Sequence, residues 1–389
     1  MTSSGSQPPT GTTTDHRRTM RLLARLCERA LFDDAAVEPS ATAGSGATAW
    51  PAVRAAAERH HVTPLLAAGL RETGAGPAPA RVEERLAADA RQIARNNLLY
   101  ADALHEVLAD LRAAGVPALT YKGPALAAQA DGEVTSRSFV DLDLLVPPSA
   151  FDDAAGVLEG AGYERVRRLR GLGEADFVNA DGVAVDLHRA VIPRYFGVEM
   201  GFETLWDRRA EVSVAGRSVP TLSPVDHLIV VCVHGGKHLW HRLCWTCDVA
   251  ALCQGYDVSH GTLRRRAGAI GCQRFLDVGL AVTERTFETA VTPATARDRP
   301  DAAPDALGNE LVERRRTHVA GGVPLRERLP VHWRLQDRRR DRLRYVTRLL
   351  TIPSERDREV VSLPSRLDGL YRVLRPLRLL WRAGRETLQ

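Results

Sequence analysis

Residues 139–146 read FVDLDLLV, two acids one residue apart in an otherwise apolar run that two prolines end. Side chains alternate faces along a strand, so Asp141 and Asp143 share one face while Leu142 and Leu144 share the other. A strand apolar on its second face needs a sheet around it and helices over it. Side-by-side carboxylates in such a setting repel each other and lose hydration, a conflict that a divalent cation removes.

A third acid follows in GVAVDLH, residues 182–188. Asp181-Gly182 is a strong two-residue hairpin turn. Beyond it Val183, Val185 and Leu187 form one face, and Ala184, Asp186 and His188 the other. Upstream, Tyr121-Lys122-Gly123-Pro124 sits between a short β-type run and a helical one. Glycine lets backbone approach a phosphate, proline suits the first helical turn, and the helix start offers free N–H groups. Lys122 is placed to reach a phosphate, with Arg137 as a second cation. Only two lysines, Lys122 and Lys237, stand against 51 arginines, which draws attention to both. Taken singly these signals are common. Asp186 reads equally well as an edge-strand acid, Lys122 as a surface lysine and Arg137 as a salt-bridge partner. The order raises their meaning: strand, KG, helix, R-x-x-x-D-x-D strand, helix, D-x-H strand. Three carboxylates on neighbouring strands suffice for two ions, one activating an attacking hydroxyl and one holding a triphosphate.

Around this centre the chain is expected to divide into a disordered tail over 1–17, with a helix from near Thr19, and a helical region to 115. A core follows over 116–222, then helices over 223–288, a linker or loop over 289–324 and a basic helical region over 325–389. The core would be α/β (α+β), with a mixed sheet flanked by N-terminal and C-terminal helices. Residues 82–115 suit one long helix ended by Gly115, and Ser149 before Asp152 resembles a capping box. Ala215-Gly216 centres a second hairpin.

The run LTYKGPALAAQA…SRSFVDLDLLVPPSAFDDAAGVLEGAGYERV…VAVDLHRAV, continuing into LSPVDHLIVVCVHGGKHLWHRLCWTCDVAALC, resembles the uncharacterised bacterial nucleotidyltransferase family of the DNA polymerase β-like superfamily. The resemblance covers roughly residues 98–253. It implies an enzyme with a mixed sheet and flanking helices that transfers NMP from an NTP to an acceptor and releases pyrophosphate. Mg²⁺ would be the cofactor, two ions with Mn²⁺ as the alternative, held by Asp141, Asp143 and Asp186 as the catalytic carboxylates. Lys122-Gly123 takes the place of the superfamily's Gly-Gly or Gly-Ser phosphate turn, a departure from the wider pattern. The nucleotide-binding set is Lys122, Gly123, Arg137, His188, Lys237 and His238, with Asp248 as a general base or orienting acid. The acceptor stays open among small molecule, peptide or protein, and RNA, as do the base of the NTP and the oligomeric state.

HGGKHLWHRLCWTCD carries a rival reading. On one helix His234 and His238 are i, i+4 neighbours, His241 follows, and Cys244 and Cys247 add C-x-x-C. That set offers zinc ligands at spacing unlike a standard finger. The plain alternative makes Trp240, Leu243, Trp245, Val249 and Leu252 core.

Six scattered cysteines in so long a chain do not form a disulfide framework, which points to a cytoplasmic location. No apolar run reaches bilayer length, so no membrane partner is expected. Residues 325–389 hold 17 Arg against 8 Asp or Glu in a chain of net charge +5. That leaves two further readings: a nucleic-acid-binding protein led by this basic end, or an inactive nucleotide-binding regulatory module.

Overall fold

The computed structural model describes residues 10–32, 49–72, 78–169, 174–198, 200–256, 258–289, 302–317, 323–353, 357, 360–361 and 363–386. Among the described residues, seven strands make one mixed sheet: β1 (Leu119–Tyr121), β2 (Leu142–Leu145), β3 (Glu164–Leu169), β4 (Glu174–Val178), β5 (Ala184–His188), β6 (Ala210–Val214) and β7 (Arg217–Thr221). Their order is β3-β4-β5-β2-β1-β7-β6. Strand β2 runs parallel to β5 and antiparallel to β1. Both expected hairpins form. At the first, Asn179 Oδ1 accepts from the N–H groups of Asp181 and Val183. At the second, Ala215 and Gly216 both take positive φ, 46° and 83°, as a primed turn requires.

Among the described residues, four helices precede the sheet: α1 (Thr10–Leu31), α2 (Trp50–Arg59), α3 (Thr63–Glu72) and α4 (Ala80–Ala113). Helix α5 (Gly123–Asp131) links β1 to β2, and α6 (Phe151–Gly160) follows β2. After the short α7 (Phe202–Asp207) come α8 (Pro224–Lys237), α9 (Cys244–Gly255), α10 (His260–Ile270) and α11 (Gln273–Thr286). Then follow α12 (Ala303–Thr317), α13 (Leu325–Leu335), α14 (Arg339–Thr351) and α15 (Tyr371–Glu386).

Two cores lie on opposite faces of the sheet. On one, Leu142, Leu144, Val185 and Leu187 pack with Leu104 and Leu108 of α4 and Phe151 and Leu158 of α6. On the other, Tyr121 and Leu145 join a larger core drawn from α1, α3, α8, α9 and α11. Burying a leucine in either is worth about 2 kcal/mol. Helix α8 is buried on nearly every side, which explains why its sequence is apolar all round. Ser223 caps it by accepting from the Asp226 N–H.

Several sequence expectations are corrected. The first helix begins at Thr10, not near Thr19, inside the stretch read as a disordered tail. Residues 303–317, assigned to a linker, form α12, because Leu307, Leu311 and Val312 recur at helical spacing and bury. Strand β3 extends the sheet beyond the strands read from sequence. A 3₁₀ turn at Pro148–Ala150 precedes α6, whose N-cap is Ala150, without a side-chain cap bond from Ser149. The His-rich segment is not one helix: α8 ends at Lys237, and Leu239 and Trp240 both take φ 53°. The basic C-terminal region engages several arginines internally. Arg375 and Arg378 donate to Asp357 at 2.7 and 2.5 Å, and Arg334 donates to Glu310 at 2.5 Å.

Candidate active site

Strand register assembles the acids. Asp143 stands opposite Asp186 in the parallel β2–β5 pair and opposite Tyr121 in the antiparallel β1–β2 pair. One pleat along, His188 pairs with Glu174 of β4. Asp143, Asp186 and His188 therefore share a face, and one ligand atom from each lies within 4.8 Å of the others. Among the described residues this is the one cluster of three or more His, Cys, Asp or Glu that could hold a metal ion. Asp141 stands just before the strand begins. Its neighbour Val140 is anchored through its carbonyl, which accepts from Tyr100 Oη at 2.6 Å.

Asp143 is the buried centre, 3% exposed. Its Oδ1 accepts from Lys122 Nζ at 2.7 Å and from His188 Nε2 at 3.0 Å. Burial works against its charge, but those two cations outweigh it and hold its carboxyl well below the usual range. His188 shows the reverse balance: burial disfavours its charge, yet the bond to Asp143 and the negative charges of Asp143 and Glu174 raise it to about 9. Its Nδ1 lies 3.8 Å from Glu174 Oε1. Asp186 is pushed up to about 7 by burial first and then by the charges of Asp143 and Asp141. Asp141 is raised too, by burial and by Asp143. Two acids held against like charge fit a divalent cation, whose binding would relieve that repulsion.

The turn before α5 is tightly determined. Lys122 takes φ 58° and ψ −156° as its N-cap, and Gly123 takes φ 42°. A Cβ at Gly123 would sit 3.1 Å from the Asp141 carbonyl oxygen. The glycine thus lets this turn lie directly against the carboxylate strand.

Opposite the sheet, α8 brings Lys237 and His234 toward the site. With Tyr121, Lys122, Glu174 and His188 they line a cavity of about 20 Å³. Burial lowers the pKa of Lys237, against the pull of Glu174. His238 is not among the residues lining that cavity; with His234 and His241 it surrounds Trp245, at ring-centroid distances of 5.2, 5.2 and 4.9 Å for His234, His238 and His241. Burial, then the charge of Lys237, drives His238 down to about 2. Cys244 and Cys247 are buried, all six cysteines are free thiols, and no His–Cys ligand group forms among the described residues.

Arg137 and Asp248 pair with each other, at 2.5 Å (Nε to Oδ1) and 2.8 Å (Nη2 to Oδ2). The Arg137 backbone is fixed as well, because buried Asn97 donates to the carbonyls of Val134 and Arg137, each at 2.7 Å.

Glu174 borders the site and was not singled out by the motif reading, whereas His234 was read there as a candidate zinc ligand. Glu174 was countable from the turn, since Val178 pairs with Ala184 and the register then sets Glu174 against His188. His234 had only its place on the His-rich segment as a signal.

No functionally curated protein matches the chain. Three solved structures resemble parts of it. A lincosamide antibiotic adenylyltransferase, LnuA, in its lincomycin-bound form, is 16% identical over 39% of this chain and 96% of its own, with a TM-score of 0.32. The antibiotic-resistance factor ANT(2'')-Ia is 17% identical over 44% of this chain and 95% of its own, also at 0.32. An antigenic nucleotidyltransferase-like protein from Paracoccidioides brasiliensis is 13% identical over 51% of this chain and 97% of its own, at 0.34. Residues 46–288, more than half of the chain, match the model of a family described as uncharacterised nucleotidyltransferase, and the chain belongs to that family.

Proposed function

We propose that the protein is a Mg²⁺-dependent enzyme that transfers NMP from an NTP to an acceptor and releases pyrophosphate. The observation that carries this reading is the register of Asp143 against Asp186 with His188 beside them. Asp141, Asp143 and Asp186 would hold the ion, with Mn²⁺ as a substitute. Bound there, it supplies charge neutralisation for the triphosphate and polarises the acceptor hydroxyl.

The chain's own residues do the rest. Lys122 and the Gly123 turn bind the phosphates, aided by the N–H groups that open α5. Lys237, over the same cavity as His188, adds a second cation from the opposite wall. His188 neutralises Asp143 and keeps it ionised. Arg137, aligned by Asp248, provides fixed positive charge beside Asp141. Both Asp248 oxygens are engaged by Arg137, so we assign Asp248 to positioning rather than to proton abstraction. His238 acts indirectly, by packing the end of α8 that presents Lys237. In the reaction a bond forms from the acceptor oxygen to the α-phosphorus. The bond from that phosphorus to pyrophosphate breaks, and the proton of the acceptor hydroxyl passes to water. Positioning and fixed charge account for the acceleration.

The helices over 223–288 close the cleft in this reading. The cytoplasm is the proposed compartment on the strength of six free thiols. No helix among the described residues is long and apolar enough to cross a membrane.

The test is transfer of label from each α-³²P-NTP with Mg²⁺ into a cell extract used as the acceptor pool, with pyrophosphate release followed in parallel. Wild type should label an acceptor, and Asp141→Ala/Asp143→Ala should not. Nucleotide binding without transfer by wild type would favour a regulatory module. Absence of NTP binding altogether would remove the carboxylate assignment.

A further inference from the structure

Lys122 holds a backbone conformation that side-chain-bearing residues rarely adopt, with φ 58°, and such conformations persist only where the surroundings over-determine them. The restraint is visible. The Lys122 N–H donates to His227 Nε2 at 3.2 Å. His227 is fully buried on α8. Because Nε2 accepts, the ring proton sits on Nδ1 and donates to Gln129 Oε1 at 2.6 Å. Gln129 then donates to the Leu222 carbonyl at 3.0 Å. This relay ties the start of α5, through the body of α5, to the chain entering α8.

We propose that His227 is a positioning residue for the phosphate-binding turn. Its neutral Nδ1–H tautomer holds the Tyr121–Lys122 peptide in the orientation that aims Lys122 Nζ at the site and turns the first α5 amides toward the nucleotide. The hydrogen-bond partners of His227 are Lys122 and Gln129 rather than the carboxylates, so it acts through Lys122. The ring is suited to this, since burial, followed by the charges of Arg137 and Lys122, lowers its pKa to about 3. An imidazolium there would lose the acceptor that the Lys122 N–H needs. This inference deepens the nucleotidyltransferase reading, since the turn's role in binding phosphate rests on it.

The two-lysine composition makes a clean test. Full-length protein labelled with ¹⁵N-lysine gives two backbone amide peaks, Lys122 and Lys237. In wild type the Lys122 amide should exchange slowly with solvent. His227→Asn keeps a donor for Gln129 but no acceptor for Lys122, so it should move the Lys122 peak and speed its exchange while sparing Lys237. His227→Gln restores an acceptor at the reach of Nε2 and should return the peak toward wild type. His227→Phe keeps ring volume and should behave like the Asn variant.

Each protein is then titrated with a non-transferable Mg·NTP analogue of each base. The Asn and Phe variants should bind about tenfold more weakly, the Gln variant near normally. A Lys122 amide that exchanges fast in wild type, or stays unmoved in both the Asn and Phe variants, overturns the proposal. So does a Phe variant that binds like wild type, which would mark a packing role, or a Gln variant as defective as Phe. Failure of wild type to respond to any Mg·NTP would overturn the nucleotidyltransferase reading, and with it the phosphate role of the turn. The amide peaks would still decide whether His227 holds Lys122.

Discussion

Arg137 and Asp248 lie 111 residues apart in sequence and meet in a two-point ion pair at 2.5 and 2.8 Å beside the carboxylate strand. Both side chains are largely buried, at 14% and 6% exposure. Removing one partner of such a pair leaves an uncompensated charge, whereas removing both need not be destabilising. Asp248→Ala should therefore cost about 3 kcal/mol of stability, and Arg137→Met/Asp248→Leu should recover most of it without recovering transfer. Thermal melts and label transfer across this double-mutant cycle provide the check. If Asp248 were a general base, Asp248→Asn would be far less active than Arg137→Met. A positioning role makes the two comparably impaired.

Asp186 stands against Asp143 in register, and like charge raises its pKa to about 7 after burial has done the same. Asp186→Asn should therefore stabilise the metal-free protein slightly, by about 1–3 °C in Tm, while abolishing transfer. A drop in Tm without Mg²⁺ would contradict the repulsion inferred for the acidic row.

Gly123 has φ 42° and a prospective Cβ contact of 3.1 Å with the Asp141 carbonyl, whereas Gly115 has φ 73° and open space around it. Gly115→Ala should cost only the backbone penalty, about 1 kcal/mol. Gly123→Ala should add a displaced turn and weaken NTP binding about tenfold or more. Equal NTP affinities for the two variants would argue against close approach of the turn to the nucleotide.

Buried neutral histidines make the fold acid-sensitive. His60 is lowered to about 3 by burial first and the charge of Arg315 second. His227 is lowered to about 3, again chiefly by burial. A depressed pKa means the unfolded chain takes up the proton before the folded one does. Each residue's contribution is thus whole above the unfolded value of about 6.5 and is lost as pH falls toward 3. By pH 5 each should have surrendered about 2 kcal/mol. His60 Nδ1 accepts from the Leu243 N–H at 3.2 Å, and His60→Asn, which can imitate that acceptor, should flatten the fall in Tm between pH 7.5 and 5. An unchanged slope would count against His60 as a source.

Patterns confined to a short stretch were readable because their physics is local. FVDLDLLV and GVAVDLH announce strands by a period of two, and DG announces its turn. The long helix α4 shows the 3.6 period and its Gly115 stop. The same locality misled at 303–317, where composition suggested a linker but three apolar residues at helical spacing found a partner surface. It also misled at His238, where the helical pattern runs on although Leu239 and Trp240 turn left-handed.

By itself, then, the sequence determined which strands carry acids and that Asp143 and Asp186 stand on the faces opposite their apolar neighbours, because alternation follows from backbone geometry alone, whereas Asp141, read on the same strand, lies just before it. Only the tertiary structure decided that β5 lies beside β2 in parallel, so that Asp186 meets Asp143. It likewise decided that Asp248 belongs to Arg137, and that His227, 105 residues from Lys122, holds the Lys122 N–H. Such pairings depend on how the helices pack over the sheet. No spacing along the chain encodes them, since each is selected by burial of many distant side chains at once.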